Sequence, residues 1–274
     1  MTFSIVARST DGESWGVAVA SKFLAVGNAV PAAVAGIGAI ATQANANVSY
    51  KGLALAHLDE GATASVALQR LLEEDPDRDH RQVGIVDVDG TSASHTGSAC
   101  YDWAGSLTGE GYAIQGNILT GSEVVESMEA AWLDGGGLPF ADRLLAALRA
   151  GDEAGGDKRG RQSAALLVVK EGAGYGGHDD VAVDLRVDDH ATPVAELTRL
   201  LELNDLFLTA TTEDDKVPVT PELDAEITGL VRALGHDDLL EWAGTENYEM
   251  RVAPTGAWID KRVLAILRAT SEQA

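Results

Sequence analysis

Residues 2–8, T-F-S-I-V-A-R, and residues 14–21, S-W-G-V-A-V-A-S, are two runs rich in β-formers, and only the turn S-T-D-G-E separates them. So short a connection joins antiparallel neighbours and leaves no room for a crossover helix. The second run is apolar at nearly every position, so both of its faces need cover. A chain that opens this way is committed to a hairpin-built sheet with something packed on each side.

The same grammar continues downstream. Residues 36–43 form a third apolar strand that ends at Gln43, Asn45 and Asn47. Helices are expected over 50–59 and 62–74, the latter with Val66, Leu68, Leu71 and Leu72 on one face and a D-P stop. R-Q-V-G-I-V-D-V, a D-G turn and T-S-A-S-H-T-G make another hairpin, and G-Y-A-I-Q-G-N a further strand. Helices over 121–133 and 139–150 lead to the polar loop A-G-G-D-K-R-G-R-Q. The strands S-A-A-L-L-V-V-K and D-V-A-V-D-L-R-V follow, then a helix over 193–203. Strictly alternating β-α units are absent. The expected class is α+β: a four-layer α-β-β-α sandwich of mainly antiparallel sheets with a small α-rich C-terminal domain. The expected boundaries are 1–208 for the sandwich, 209–221 for a linker and 222–274 for the helical domain. In the last, Leu223, Ile227, Leu230, Val231 and Leu234 share one face behind a T-P start, and a final helix carries Ile259, Val263, Leu264 and Leu267.

Charge limits the partners. Asp and Glu number 43 against 20 Lys and Arg, a net charge of −23. Such a surface repels nucleic acid and anionic membranes, so neither is an expected partner. The acids are scattered, as in a protein solvated for high salt or in an ordinary acidic bacterial protein. No apolar run approaches the roughly 20 residues of a membrane span, and no signal-peptide pattern opens the chain, so a cytoplasmic location is expected. The single cysteine, Cys100, excludes an internal disulfide framework.

T-F-S-I-V-A-R, G-V-A-V-A-S-K-F-L-A-V-G, A-T-Q-A, H-T-G, Q-G-N-I-L and G-G-D-K-R-G-R-Q-S-A-A-L-L-V together resemble one bacterial and archaeal family over roughly residues 1–205. That family is grouped by fold with the N-terminal-nucleophile hydrolases, relatives of proteasome subunits and penicillin acylase. The tail, with L-L-E-W-A-G-T-E-N-Y-E-M-R and G-A-W-I-D-K-R-V-L, is similar to a domain that some members append and that has been labelled peptidoglycan-binding. The resemblance implies the sandwich, an amide-hydrolysing site at the N-terminus and a homo-oligomer.

Thr2 is the first candidate. An alcohol needs a base beside it, and a Thr exposed by removal of Met1 carries its own α-amine, with a pKa of about 7.7–8.0. The competing reading is a β-branched residue starting a strand. Lys22, directly after an apolar strand in a chain that avoids Lys, is a candidate to hold that amine neutral and stabilise an alkoxide. Asn117, at the end of a strand after Gly116, is a candidate oxyanion donor. Analogy with the wider fold gives Asp157 the orienting of the amine. Arg159 and Arg161 are candidates to hold a substrate carboxylate bidentately. Gln43, Asn45 and His95 are candidate pocket groups. The six His residues show no metal-ligand spacing, and no cofactor is expected. Cys100 reads better as a small buried hydrophobe than as a nucleophile.

The expected function is an N-terminal-nucleophile amidohydrolase that cleaves a small amide or peptide-like bond through an acyl-enzyme on Thr2. The alternatives are a non-catalytic binding or scaffold protein of the same fold and an envelope-associated protein that uses its C-terminal domain.

Overall fold

The structure is a computed structural model that describes residues 2–271. The chain divides into two compact units, with the boundary between Leu201 and Glu202.

In the first unit the elements run β1 (Thr2–Arg8), β2 (Ser14–Ser21), α1 (Val26–Ala29), β3 (Pro31–Val34), β4 (Gly38–Ala44), α2 (Tyr50–Asp59) and α3 (Ala64–Glu74). They continue β5 (Arg81–Asp87), β6 (Ser92–Thr96), β7 (Gly105–Gly109), β8 (Tyr112–Asn117), α4 (Glu123–Asp134), α5 (Phe140–Glu153), β9 (Ser163–Lys170) and β10 (Val181–Val187). Helix α6 (Pro193–Leu208) carries the chain out of this unit.

The opening hairpin pairs Phe3 with Ala20 and Arg8 with Trp15, and Gly12, at φ 78°, supplies the left-handed turn residue. Its two strands lie in the middle of a six-stranded sheet ordered β10-β9-β2-β1-β8-β7; a second sheet runs β3-β4-β5-β6. All pairings in both are antiparallel. The sheets face each other, β1 against β4 and β5, and β8 against β5.

Period-two alternation assigns each strand two environments. On β1, Phe3, Ile5 and Ala7 point to a core shared with α4, α5 and the start of α6, including Met128, Leu144, Leu148 and Leu197. Val6, from the other face, joins Val17, Val19, Ala39, Ala41 and Val86 between the sheets. Ile40, Val83 and Ile85 cover the far side of the small sheet beneath α2 and α3. Full burial of each larger side chain contributes about 1.5–3 kcal/mol. The result is the expected α-β-β-α sandwich.

The second unit holds β11 (Lys216–Pro218), α7 (Pro221–Ala233), α8 (Leu239–Thr245), β12 (Trp258–Asp260) and α9 (Lys261–Ser271). Thr220 caps α7 and Pro221 follows it, as the T-P pair predicts. Buried Arg251 is bonded to Asp260 and to the Leu206 carbonyl. Four local expectations differ. Ile259 belongs to β12, paired with Val217, and the final helix starts at Lys261. The stretch 209–221 contains β11. Helix α6 continues to Leu208 rather than 203. β3 and β7 are additional edge strands of their sheets.

Candidate functional site

Thr2 and Asn117 lie opposite each other in the β1–β8 register, followed by Ser4 and Gln115. On the facing sheet Gln43 pairs with Gln82 across β4 and β5. These six polar side chains are buried together between the sheets. Ser4 donates to Gln43 Oε1 at 2.7 Å and accepts from Gln115 Nε2 at 2.6 Å. Gln43 Nε2 donates to the Thr2 carbonyl at 3.2 Å and to Gln82 Oε1 at 2.8 Å. Asn117 Nδ2 donates to the same Gln82 oxygen at 2.9 Å. Gln82 Nε2 is fixed by the Gly116 carbonyl at 2.7 Å and Thr96 Oγ1 at 2.9 Å, so its oxygen can only accept. This ladder positions both Thr2 and Asn117. Gly84 leaves the room that Gln115 occupies; a Cβ there would collide with the amide.

At the tip of β1 this polar layer meets a cavity of about 670 Å³, lined among others by Thr2, Gln43, Asn45, Asn117 and Arg159. The hydroxyls of Thr2 and Ser21 share a 3.1 Å hydrogen bond. Asn45 donates its N–H to the His80 carbonyl at 3.2 Å and accepts from Arg81 Nη1 at 2.6 Å through its own carbonyl. Val26, Val30, Phe23 and Val48 give the cavity an apolar wall. Among the described residues no group of three or more His, Cys, Asp or Glu is placed to hold a metal ion.

Asp157 stands behind Arg159. Its Oδ2 accepts from the Lys22 backbone N–H at 2.6 Å and from Arg159 Nη2 at 3.3 Å, while Oδ1 accepts from the Arg159 N–H at 2.8 Å. It thereby ties the end of β2 to the loop before β9. Like Asp157, three further expected site residues do not line the cavity. The Lys22 ammonium reaches the Arg161 carbonyl at 3.4 Å. Arg161 is committed to Asp152 through two bonds at 2.7 and 2.9 Å, which raises the pKa of its guanidinium. His95 donates its Nε2–H to the Arg78 carbonyl at 2.9 Å and lines a separate groove with Leu68 and Leu72 of α3.

Several groups at the cavity or directly behind it had no sequence signal as site residues. Ser21 reads as the polar end of an apolar strand, and Arg81 and Gln82 as the start of another. Arg81 is held by Asp75 through Nε at 2.8 Å, which depresses the Asp75 carboxyl well below the usual range. Tyr50 Oη donates to the same carboxylate at 2.8 Å; burial and that carboxylate push its phenol far up. Cys100 also lines the cavity, with its thiol pKa raised by burial.

The first unit is thus an α-β-β-α sandwich with a cavity, part polar and part apolar, where its first strand begins. The chain belongs to a family of unknown function, DUF1028, whose model it matches over residues 2–197. It is similar to the crystal structure of protein SPO2555 from Silicibacter pomeroyi, also of DUF1028, at 32% identity and a TM-score of 0.67, covering 74% of this chain and 89% of that one. No curated protein matches the chain. No described helix is long and apolar enough to cross a membrane.

Proposed function

We propose that this chain is an amidohydrolase of the N-terminal-nucleophile type, acting on a small amide or peptide-like bond, with Thr2 as nucleophile. The observation that carries this reading is the position of Thr2: its hydroxyl lies against Ser21, on a cavity, at the very start of a strand in a four-layer sandwich. That is where a residue must lie if one side chain and one α-amine are to serve the same carbonyl.

With Met1 removed, Thr2 Oγ1 attacks the carbonyl carbon and its proton passes to the α-amine. The oxyanion takes a hydrogen bond from Asn117, whose Nδ2 spends one of its two hydrogens on Gln82. The ammonium then protonates the leaving amine as the C–N bond breaks, giving an ester on Thr2. Water, deprotonated by the same amine, hydrolyses the ester, releases the acid and restores the hydroxyl. Asp157 acts indirectly by fixing Arg159 and the end of β2. In the appended unit Phe207 stacks on Tyr248 and Trp242 lies against it in the core, while Lys216 covers Trp258; a sugar-stacking role draws no support from this.

The test is intact-mass measurement of the purified protein followed by an amide-library screen. The expected mass lacks Met1. Thr2→Ala is expected to abolish hydrolysis while leaving the melting temperature nearly unchanged. A mass that keeps Met1, or full turnover by the variant, defeats the assignment.

A further inference from the structure

We propose that the cavity binds an organic carboxylate, so that the amide it accepts carries a free carboxylate beside an apolar group. The choice of an amide rests on the function proposed above; the carboxylate follows from the lining itself. The chain has 43 Asp and Glu among 274 residues, and an even scatter would put about three on an 18-residue lining. The described lining has none. It contains Arg81, Arg159 and His80 instead, from a chain with only 20 Lys and Arg.

Both arginines are anchored from behind. Asp75 holds Arg81 and Asp157 holds Arg159, yet neither carboxylate reaches the cavity. The side chain of Asp157 is 3% exposed against 46% for Arg159, and that of Asp75 7% against 16% for Arg81. Around Arg159 the anion is shut away and the guanidinium is exposed; Arg81, itself largely buried and also in reach of Asp77 at 3.5 Å, adds positive charge to the wall. The exposed Arg159 guanidinium, oriented by Asp157, brings to the cavity wall a delocalised positive charge of the kind that suits a carboxylate. The apolar wall from Phe23, Val26, Val30 and Val48 suits the rest of such a ligand. Outside the cavity the net charge of −23 repels anions, so an anion that binds must be drawn by local groups.

Cys100, the single cysteine, lines this same cavity and serves as a reporter. The full chain is alkylated at about pH 8 and low ionic strength with iodoacetate or with iodoacetamide. The same thiolate attacks the CH2 carbon of either reagent and displaces iodide, so the titration of the thiol cancels in the ratio of rates. The iodoacetate-to-iodoacetamide ratio is expected to exceed that of 2-mercaptoethanol by about fivefold or more, and to fall in Arg159→Gln and in added salt. The overall charge alone predicts the opposite, a ratio below the reference. A ratio at or below that of 2-mercaptoethanol overturns the proposal. In a second arm, Thr2→Ala protein is incubated with N-acetyl-L-leucine or N-acetyl-L-leucinamide before iodoacetamide. The carboxylate is expected to protect Cys100 at a concentration lower by about tenfold. Equal protection by the neutral amide, or protection by neither, overturns it as well. Neither arm depends on turnover, so the binding inference and the Thr2 assignment fail separately.

Discussion

The layer between the two sheets has two ends built from the same strands by opposite chemistry. At one end Val6, Val17, Val19, Ala39, Ala41 and Val86 form a dry apolar contact. At the other, Thr2, Ser4, Gln43, Gln82, Gln115 and Asn117 are as deeply buried, yet each carries a polar group that must find a partner. Along β1 the change takes four residues, from Val6 to Thr2 on one face. The apolar end holds the sheets together by area and tolerates small slips. The amide end is directional: a displaced carbonyl there loses a hydrogen bond with no water to replace it. That rigidity lies where the cavity begins, and it fixes Thr2 and Asn117 before any ligand arrives.

Removing the hub of the amide end should therefore have the largest effect. Gln82→Leu strips a partner from Asn117, Gln43 and the Gly116 carbonyl at once, and is expected to cost about 4 kcal/mol in denaturant unfolding. A loss under about 1 kcal/mol would mean the ladder is not directional in the way described. Asp75→Asn comes next, at about 3 kcal/mol, because it leaves the largely buried Arg81 without its carboxylate. Asp75 also sets a pH signature. Its folded pKa is depressed, chiefly by the hydrogen bond from Arg81, so its contribution is fully present above about pH 4 and is lost as pH falls below that. The variant should show a shallower fall in stability over that acid range than the parent. At the apolar end, Val17→Ala removes two methyl groups from a fully buried site and should cost about 2 kcal/mol, with no effect on the reactivity of Cys100.

The contrast between the two ends also explains what the sequence revealed. The apolar alternation of β1, β2, β5 and β9 is long and regular, and their pairing follows from short turns. β3 and β7 escaped notice because P-A-A-V and G-S-L-T-G are short and built from turn and small residues, and pairing with longer neighbours decides their conformation. Ile259 continued the helical spacing of Val263, yet three residues of β12 paired with β11 took it away. For the site, Thr2, Gln43, Asn45 and Asn117 were legible as polar residues at the ends of apolar runs, and Arg159 as a scarce basic residue in a polar loop. Their partners were less so. Gln82 is one polar residue at the start of an apolar strand, and only the register that sets it opposite Gln43 shows its role. The available signal was collective: amides at the ends of three strands and hydroxyls on a fourth, all on the face opposite the helix-covered core. Lys22 and Arg161 show the reverse error, where scarcity of basic residues suggested chemistry and the structure gives backbone and surface contacts instead.

Salt should separate the layer from the surface, with the smallest effect. The net charge of −23 is carried outside the two inter-sheet ends, so mutual repulsion of surface carboxylates is screened as the Debye length shrinks from about 10 Å at 0.1 M to about 3 Å at 1 M. Stability in molar KCl should exceed that in dilute buffer by about 1 kcal/mol, a rise of a few degrees in the melting temperature for a chain of this size. The decrements from Gln82→Leu and Val17→Ala should be the same in both buffers, because neither group is reached by solvent or ions. If the Gln82→Leu decrement shrinks in high salt while that of Val17→Ala does not, solvent enters the amide end from the cavity, and its rigidity is then set by water as much as by the strands.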